Sequence, residues 1–397
     1  MSLNNTPNAN RVHIGFYGKR NSGKSSLINS FVGQEVAIVS AIPGTTTDPV
    51  YKPMEIQGIG ACVLIDTAGF DDAGSLGEMR VEKTAKAAEK TDIAVLLFSE
   101  EDIEKELEWF KLFKERNTPV LCVISKGDII TDIVSLQRSI KEKTGVNPII
   151  FNRQDSANIE VFKEALIRLV PEDYEMPSIT SNLVNEDDIV MLVMPQDIQA
   201  PKGRLILPQV QTIRDLLDNK CIVISTTTDK LDQALAALSK PPRVIITDSQ
   251  VFKTVYDKKP AESLLTSFSV LFAAYKGDLS YYIKGAAVID KLTERSRVLI
   301  AECCSHAPLT EDIGRVKLPN ALRKRIGEGL TVDIVSGTDF PKDLTNYDLI
   351  IQCGACMFNR KYVLSRIDRA KKQEIPMSNY GVVLAYLSGI LDKISYS

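Results

Sequence analysis

The chain has 397 residues, 44% of them hydrophobic and 25% charged, and a formal net charge of −3. This is the composition of a globular protein too long for one ordinary core, so two or three domains are predicted. The charge balance excludes a global attraction to nucleic acid, and no window is long and apolar enough for a membrane span. Residues 1–10 are polar and lack the apolar core of a secretory signal. Seven cysteines without such a signal point to a reducing, cytoplasmic setting in which thiols are available to metals. The two histidines are His13 and His306.

The first element in chain order is residues 12–17, an apolar run that reads as a buried strand. It ends in Gly18-Lys19-Arg20-Asn21-Ser22-Gly23-Lys24-Ser25, followed by an amphipathic run over residues 26–32. The pattern is G-x-x-x-x-G-K-S between a strand and a helix, which is the P-loop. Gly18 and Gly23 permit the tight turn, and backbone N–H groups from Asn21 and Ser22 through Ser26 face phosphate oxygens at a helix N-terminus. Lys24 reaches the β- and γ-phosphates, and the Ser25 hydroxyl suits Mg²⁺.

A loop rich in Gly and Thr follows, Gly44-Thr45-Thr46-Thr47-Asp48. A threonine hydroxyl here completes the Mg²⁺ shell and senses the γ-phosphate, with Thr45 and Thr46 both eligible. Residues 62–65 form another apolar strand, ending in Asp66-Thr67-Ala68-Gly69. Asp66 is placed to hold Mg²⁺ through water, and the Gly69 N–H to meet the γ-phosphate. Lys24, Asp66 and Gly69 are therefore the candidate catalytic residues. Residues 93–98, 120–124 and 148–151 are further strands. The second of these leads into Ser125-Lys126-Gly127-Asp128, which is close to the guanine-reading N-K-x-D with Ser125 in place of Asn. Asp128 can accept from the guanine N1–H and exocyclic amine, and the Lys126 stem can pack on the base. The Ser-Ala pair that usually backs the base is missing near Asn152-Arg153, so guanine choice rests mainly on Asp128.

These ordered motifs resemble the translation-factor-like GTPases, in particular the group close to MnmE and Era. That resemblance implies GTP and GDP as ligands and favours Thr46 over Thr45. Phe70 occupies the position where Ras-type proteins carry a water-orienting Gln. Asn21 matches the asparagine that coordinates K⁺ in the MnmE-like group, so a monovalent cation is implied; the plain alternative is a turn residue.

Residues 172–188 mix Pro, Ser, Asn and acidic residues and read as a linker. Apolar strands at 189–195, 221–226 and 244–247 alternate with helical patterns at 210–217 and 231–238. This predicts a small α/β unit with an interaction or dimerisation role. Asp215, Lys220 and Asp229 read as solvated charges there, and Cys221 as core. Residues 263–274 and 286–292 carry apolar helical faces, residues 276–284 read as a connection, and residues 381–394 are helix-like.

Strand-like runs at 297–301 and 349–352 each deliver cysteines at their C-terminal ends: Cys303, Cys304 and His306 from the first, Cys353 and Cys356 from the second. Ligands bind outside the carboxyl ends of strands in open α/β sheets, so the two groups can converge. Cys353-Gly354-Ala355-Cys356 is a C-x-x-C loop with small central residues, able to aim two thiolates at one metal centre. With Cys304 it makes a three-cysteine set suited to an iron–sulfur cluster that leaves one iron to a weaker ligand. A zinc site closed by His306, a redox C-x-x-C and inert thiols are the alternatives. Strand alternation points Cys303 away from Cys304 as a bystander.

A GTPase followed by such a cysteine segment resembles the [FeFe]-hydrogenase maturation GTPases, the HydF family, over the whole chain, including the stretch from Ala200 to Thr212. In that family the pattern is C-x-H, a long gap, then H-C-x-x-C. Cys304, His306, Cys353 and Cys356 match it, while Gln352 stands where the second His is usual; Glu302, His306, another carboxylate or water remain for the fourth position. The resemblance implies an α/β protein of three domains: a P-loop GTPase at residues 8–172, a dimerisation-type domain at 180–268, and a [4Fe–4S] cluster domain at 276–397. It further implies a homodimeric scaffold that takes a diiron precursor from the radical-SAM maturases HydE and HydG and delivers it to apo-hydrogenase, with no nucleic-acid partner. The competing reading is a tRNA-modification or ribosome-assembly GTPase with an accessory metal domain, which predicts a basic, aromatic-bearing face. The basic runs at 323–325 and 369–372 are short and lack stacking aromatics.

Overall fold

A computed structural model of the chain describes residues 8–32, 49–71, 75–127, 129–152, 157–170, 178–195, 205–303 and 313–396. Thr45, Thr46, Asp128, Arg153, Cys304 and His306 lie outside the described residues. The chain divides into two compact units, Met1–Glu175 and Met176–Ser397.

The first unit is built on a six-stranded sheet of β1 (Val12–Gly18), β2 (Val50–Ile56), β3 (Gly60–Asp66), β4 (Ile93–Phe98), β5 (Val120–Ser125) and β6 (Ile149–Phe151), in the order β2-β3-β1-β4-β5-β6. β2 runs antiparallel to β3, and the other pairings are parallel. Its helices are α1 (Lys24–Val32), α2 (Ser75–Ala88), α3 (Glu104–Glu115), α4 (Ile133–Thr144) and α5 (Ala157–Leu169). β1, β4 and β5 are buried along their whole length because helices cover both faces. On one face Ile14 and Phe16 pack with Leu27 of α1 and Phe162 of α5. On the other Tyr17 and Leu96 pack with Phe113 of α3 and Ile140 of α4. The chain leaves β1 towards β3 on one side and β4 on the other, which places the P-loop at the switch point of the sheet.

The second unit holds two all-parallel four-stranded sheets. One contains β7 (Ile189–Val193), β8 (Ile222–Thr226), β9 (Val244–Thr247) and β10 (Leu264–Ser267), ordered β10-β9-β7-β8, with α6 (Leu207–Asp218), α7 (Leu231–Ala236) and α8 (Phe252–Lys258). The other contains β11 (Arg297–Ala301), β12 (Thr331–Val335), β13 (Leu349–Gln352) and β14 (Met377–Asn379), ordered β12-β11-β13-β14. Between them in sequence run α9 (Phe268–Lys276) and α10 (Leu279–Ala287), and later α11 (Leu318–Ile326), α12 (Arg360–Lys372) and α13 (Tyr380–Leu387). α9 is apolar nearly all round, as a helix buried on several sides must be. Phe268, Leu271 and Phe272 enter the core of the β7 sheet, and Val270 and Ala273 enter the core that includes the β11 sheet.

The α/β class and the three-part make-up agree with the sequence expectation; several local readings do not. Residues 263–274 are a strand followed by a helix, not one helix: Ser267 caps α9, its side chain accepting from the Val270 N–H. Residues 276–284 are not a connection, because Asp278 caps α10 there. Helix α13 stops at Leu387, short of the predicted end. Asp215 is not a solvated charge. It accepts from the Ile179 and Thr180 N–H groups and from the Ser178 and Thr180 hydroxyls, pinning residues 178–180 to α6. Lys220 and Asp229 are exposed and Cys221 is buried. Among the described residues no helix is long and apolar enough to cross a membrane.

Candidate functional site

The P-loop joins β1 to α1. Gly23 sits at φ +87°, a left-handed conformation that suits glycine. Lys24 is buried, and its Nζ donates to the carbonyls of Gly18 (3.0 Å) and Lys19 (2.8 Å), so the ammonium lies across the loop. The Ser25 hydroxyl donates to Asp66 Oδ2 at 2.8 Å, bringing the two expected Mg²⁺ residues together from α1 and β3. Burial pushes the Asp66 carboxyl up, against the Ser25 hydrogen bond and the Lys24 charge. A hydroxyl and a carboxylate side by side are the oxygen donors a hard cation takes. A Cβ on Gly69 would lie 2.6 Å from Arg20 N, so only glycine lets this segment rest on the P-loop. The Arg20 N–H also donates to Asp71.

Ser125 is buried, and its hydroxyl donates to Ser22 O (2.6 Å) and Phe98 O (3.3 Å). It braces the P-loop from β5, and its hydroxyl is spent on backbone. Asn21, at φ +59°, is exposed; Lys126, at φ +56°, is half-buried. Phe70 turns inward and stacks on Trp109 at 5.3 Å, within the core under α3.

Sequence reasoning missed a second set of charges at this loop. Lys19 is buried and donates to Glu100 and to the Asp102 carbonyl, with the Glu106 carboxylate of α3 at 3.7 Å. Glu106 is fully buried and neither carboxylate oxygen has a hydrogen-bond partner among the described residues. Burial raises its pKa from 4.5 to about 7; the Lys19 charge opposes this, while Glu100 and Asp102 reinforce it. The folded pKa lies above the unfolded one, so the stabilisation from Glu106 is full below about pH 4.5 and is lost as pH rises through about 7. Glu106→Gln is neutral throughout and is expected to be more stable than the parent by about 1–2 kcal/mol at about pH 8. Urea denaturation at about pH 5 and about pH 8 checks this; a variant no more stable at the higher pH refutes it.

In the second unit β11 and β13 are adjacent and parallel, with Ala301 opposite Gln352. Their C-terminal ends therefore open at one sheet edge. Ala355, at φ +51°, turns the C-x-x-C loop. Cys353 Sγ accepts from the Cys303 N–H (3.1 Å) and the Ala355 N–H (3.5 Å). The hydrogen bond from the Cys303 thiol holds the Cys353 thiol below its ordinary pKa. Those N–H groups and the Arg366 charge help, against burial. Burial pushes Cys356 up, with Lys276 opposing it. Cys303 is buried and lines this loop, with its N–H on Cys353 and its sulfur beside Arg366; its direction relative to Cys304 lies outside the described residues. Strand geometry ends at Ala301, and the alternation that would turn Cys303 away ends with it.

Two cations line this loop. Lys276 Nζ donates to Ala355 O (2.9 Å) and Phe358 O (3.0 Å). The Arg366 guanidinium donates to Gly337 O, lies 3.7 Å from Cys303 Sγ, and stacks against Phe340, Phe358 and Tyr362. Gln352 is fully buried, and neither its Oε1 nor its Nε2 has a partner among the described residues. Glu302 is engaged by Arg315 (3.1 Å) and Ser336 (3.3 Å). Among the described residues no three His, Cys, Asp or Glu side chains are grouped to hold a metal ion; Cys304 and His306 lie outside them. The lining fits a thiolate-held metal group: N–H donors on sulfur, buried positive charge, and an orphaned amide beside the loop.

Residues 13–126 match the 50S ribosome-binding GTPase model. Residues 179–277 match the hydrogen maturase F dimerization domain, and residues 280–395 the hydrogen maturase F tetramerization domain. The tRNA modification GTPase MnmE of Caldicellulosiruptor saccharolyticus is 32% identical over 163 residues, 41% of this chain and 35% of that protein. GTPase Der of Clostridium perfringens is 33% identical over 147 residues, 34% of this chain and 33% of that protein. The chain spans about a third of the length of these two relatives. Among solved structures, Aquifex aeolicus Era aligns with a TM-score of 0.36 and 17% identity, over 57% of this chain and 98% of that one. The GTP-binding protein engB aligns at 0.34 and 21%, over 41% of this chain and 100% of that one. At these scores the structural likeness carries no argument. The GTPase match makes the first unit a GTP-binding, GTP-hydrolysing domain. The two hydrogen maturase F domains follow it in succession and together take in more than half of the residues, so the chain belongs to the hydrogen maturase F family.

Proposed function

We propose that this GTPase of hydrogenase maturation is a scaffold that holds a [4Fe–4S] cluster on Cys304, Cys353 and Cys356. It receives a diiron precursor from HydE and HydG and hands it to apo-[FeFe]-hydrogenase, in a reducing cytoplasm and as a homodimer. The observation that carries this reading is the match to two hydrogen maturase F domains, the second of which contains the loop where Cys353 meets N–H donors and buried cations. A bound cluster would supply a redox-active, ligand-accepting iron centre. The protein's part is to hold it by thiolate, with His306 the candidate for the fourth position. The test is anaerobic reconstitution of the full chain with iron and sulfide. A brown protein with the EPR signal of a reduced [4Fe–4S] cluster is expected, and a colourless protein holding one zinc refutes the scaffold.

For GTP hydrolysis, Lys24 neutralises phosphate charge and Ser25, Thr46 and Asp66 hold Mg²⁺, which supplies further charge neutralisation. The N–H groups of Gly69 and of Gly18 to Ser26 orient the phosphates. Asp128 reads guanine, with Ser125 supporting the loop and Lys126 beside the base. Asp128→Asn is expected to move preference from GTP towards xanthosine triphosphate, since an amide can donate to the additional carbonyl; competition binding that still favours GTP as strongly as in the parent removes this role. Asn21 is proposed to hold K⁺. Hydrolysis in K⁺ is then faster than in Na⁺ at matched ionic strength, and equal rates refute the site. The alternative nucleic-acid reading rests on the GTPase segment alone. Of the basic runs, Arg325 pairs with Asp290, Lys371 with Asp278, and Arg369 packs on Phe340.

A further inference from the structure

Lys276 and Arg366 are 2% and 1% exposed, and neither pairs with a carboxylate among the described residues. A buried cation without a counter-charge is strongly disfavoured, because burial removes its hydration. Lys276 Nζ lies against the C-x-x-C turn, donating to the Ala355 and Phe358 carbonyls. Arg366 likewise lies against the Cys303 sulfur. The nearby Glu302 is already taken by Arg315, and Asp278 by Lys371. Among the described residues, the groups placed to balance these two cations are those of the cysteine loop and what it binds.

We propose that Lys276 and Arg366 are the built-in counter-ions of an anionic metal–thiolate group at the cysteine loop, and that they set its charge state. This rests on the cluster reading above. A [4Fe–4S] cluster on three thiolates is a monoanion when oxidised and a dianion when reduced by one electron. Two buried cations beside it favour the dianion and hold the reduction potential up. Lys276 also fixes the turn, since its donors go to carbonyls within and just beyond the C-x-x-C loop. Both are positioning residues.

The test has two arms on the full chain. In the first, reconstituted parent, Lys276→Gln and Arg366→Gln are titrated reductively and followed by EPR, with Arg366→Lys as the charge-preserving control. Gln at 276 keeps a donor for the loop carbonyls, so the fold is retained. Midpoint potentials are expected to fall in both Gln variants and to stay near the parent value in Arg366→Lys. Unchanged potentials, or an equal fall in Arg366→Lys, overturn the proposal. In the second arm the cluster-free proteins are titrated with Cd²⁺, read by sulfur-to-metal charge-transfer absorbance. A divalent ion on the three thiolates is again a monoanion, so each Gln variant is expected to bind roughly tenfold more weakly. Equal affinity overturns the proposal, as does absence of Cd²⁺ binding by the parent. A parent that binds Cd²⁺ with this dependence but takes up no iron–sulfur cluster refutes the scaffold reading while leaving the counter-ions standing.

Discussion

Lys24→Ala is expected to abolish GTP hydrolysis, reducing turnover by on the order of 10²–10³-fold or more. The ammonium is buried across the P-loop and is the one charged side chain that the loop's geometry sends over its own carbonyls. Transfer of the γ-phosphoryl group spreads negative charge over its oxygens, and catalysis depends on opposing charge held in place. Alanine removes that charge while leaving Gly23, the turn and the Ser25–Asp66 hydrogen bond intact. Single-turnover phosphate release from the purified variant checks this, and hydrolysis at the parental rate excludes Lys24 from the reaction. The parental rate is itself expected to be low, on the order of that of unassisted GTPases. Phe70 is packed on Trp109, so the side chain after Gly69 orients no water.

How much of this was legible in the sequence follows from how each element is held. β1, α1 and the loop between them are dictated locally, by an apolar run, two glycines and an amphipathic turn, and they form where the pattern places them. No apolar run announces β2, because it is an edge strand: its outward positions carry Tyr51, Pro53 and Glu55, and burial alternates along it. β14 is three residues long and is held by pairing with β13 and by Ser378 donating to Tyr282 O, both long-range. Residues 263–274 read as one helical face because the strand and the helix they span are both apolar. The Ser267 cap was the visible signal separating them. Glu106 reads as one more charge on an acidic amphipathic helix; only the packing of α3 under the P-loop brings it to Lys19. In the second unit the sequence supplied the convergence of β11 and β13 but not the approach of Lys276 and Arg366, which come from α9 and α12.

Cys353→Ser and Cys356→Ser are each expected to lose the reconstituted cluster, with iron content and brown absorbance falling to background. A three-thiolate site that loses one ligand keeps at most two strong anchors, and a serine hydroxyl does not replace a thiolate at neutral pH. The two residues share a loop whose turn is fixed by Ala355 and by Lys276, so either substitution leaves the backbone in place. The contest is over the third thiolate. Cys303 hydrogen-bonds Cys353 through both its N–H and its thiol, which makes it a rival to Cys304 for that position. If Cys304 is the ligand, Cys303→Ser keeps the N–H and supplies a hydroxyl donor in place of the thiol, and the cluster survives, while Cys304→Ser loses it. Iron analysis and EPR on the two variants decide between them: retention in Cys304→Ser with loss in Cys303→Ser transfers the third thiolate to Cys303. His306→Ala is expected to keep the cluster with an altered EPR spectrum, because an imidazole is a weaker anchor than any of the thiolates; complete loss would make the histidine an anchor equal to them.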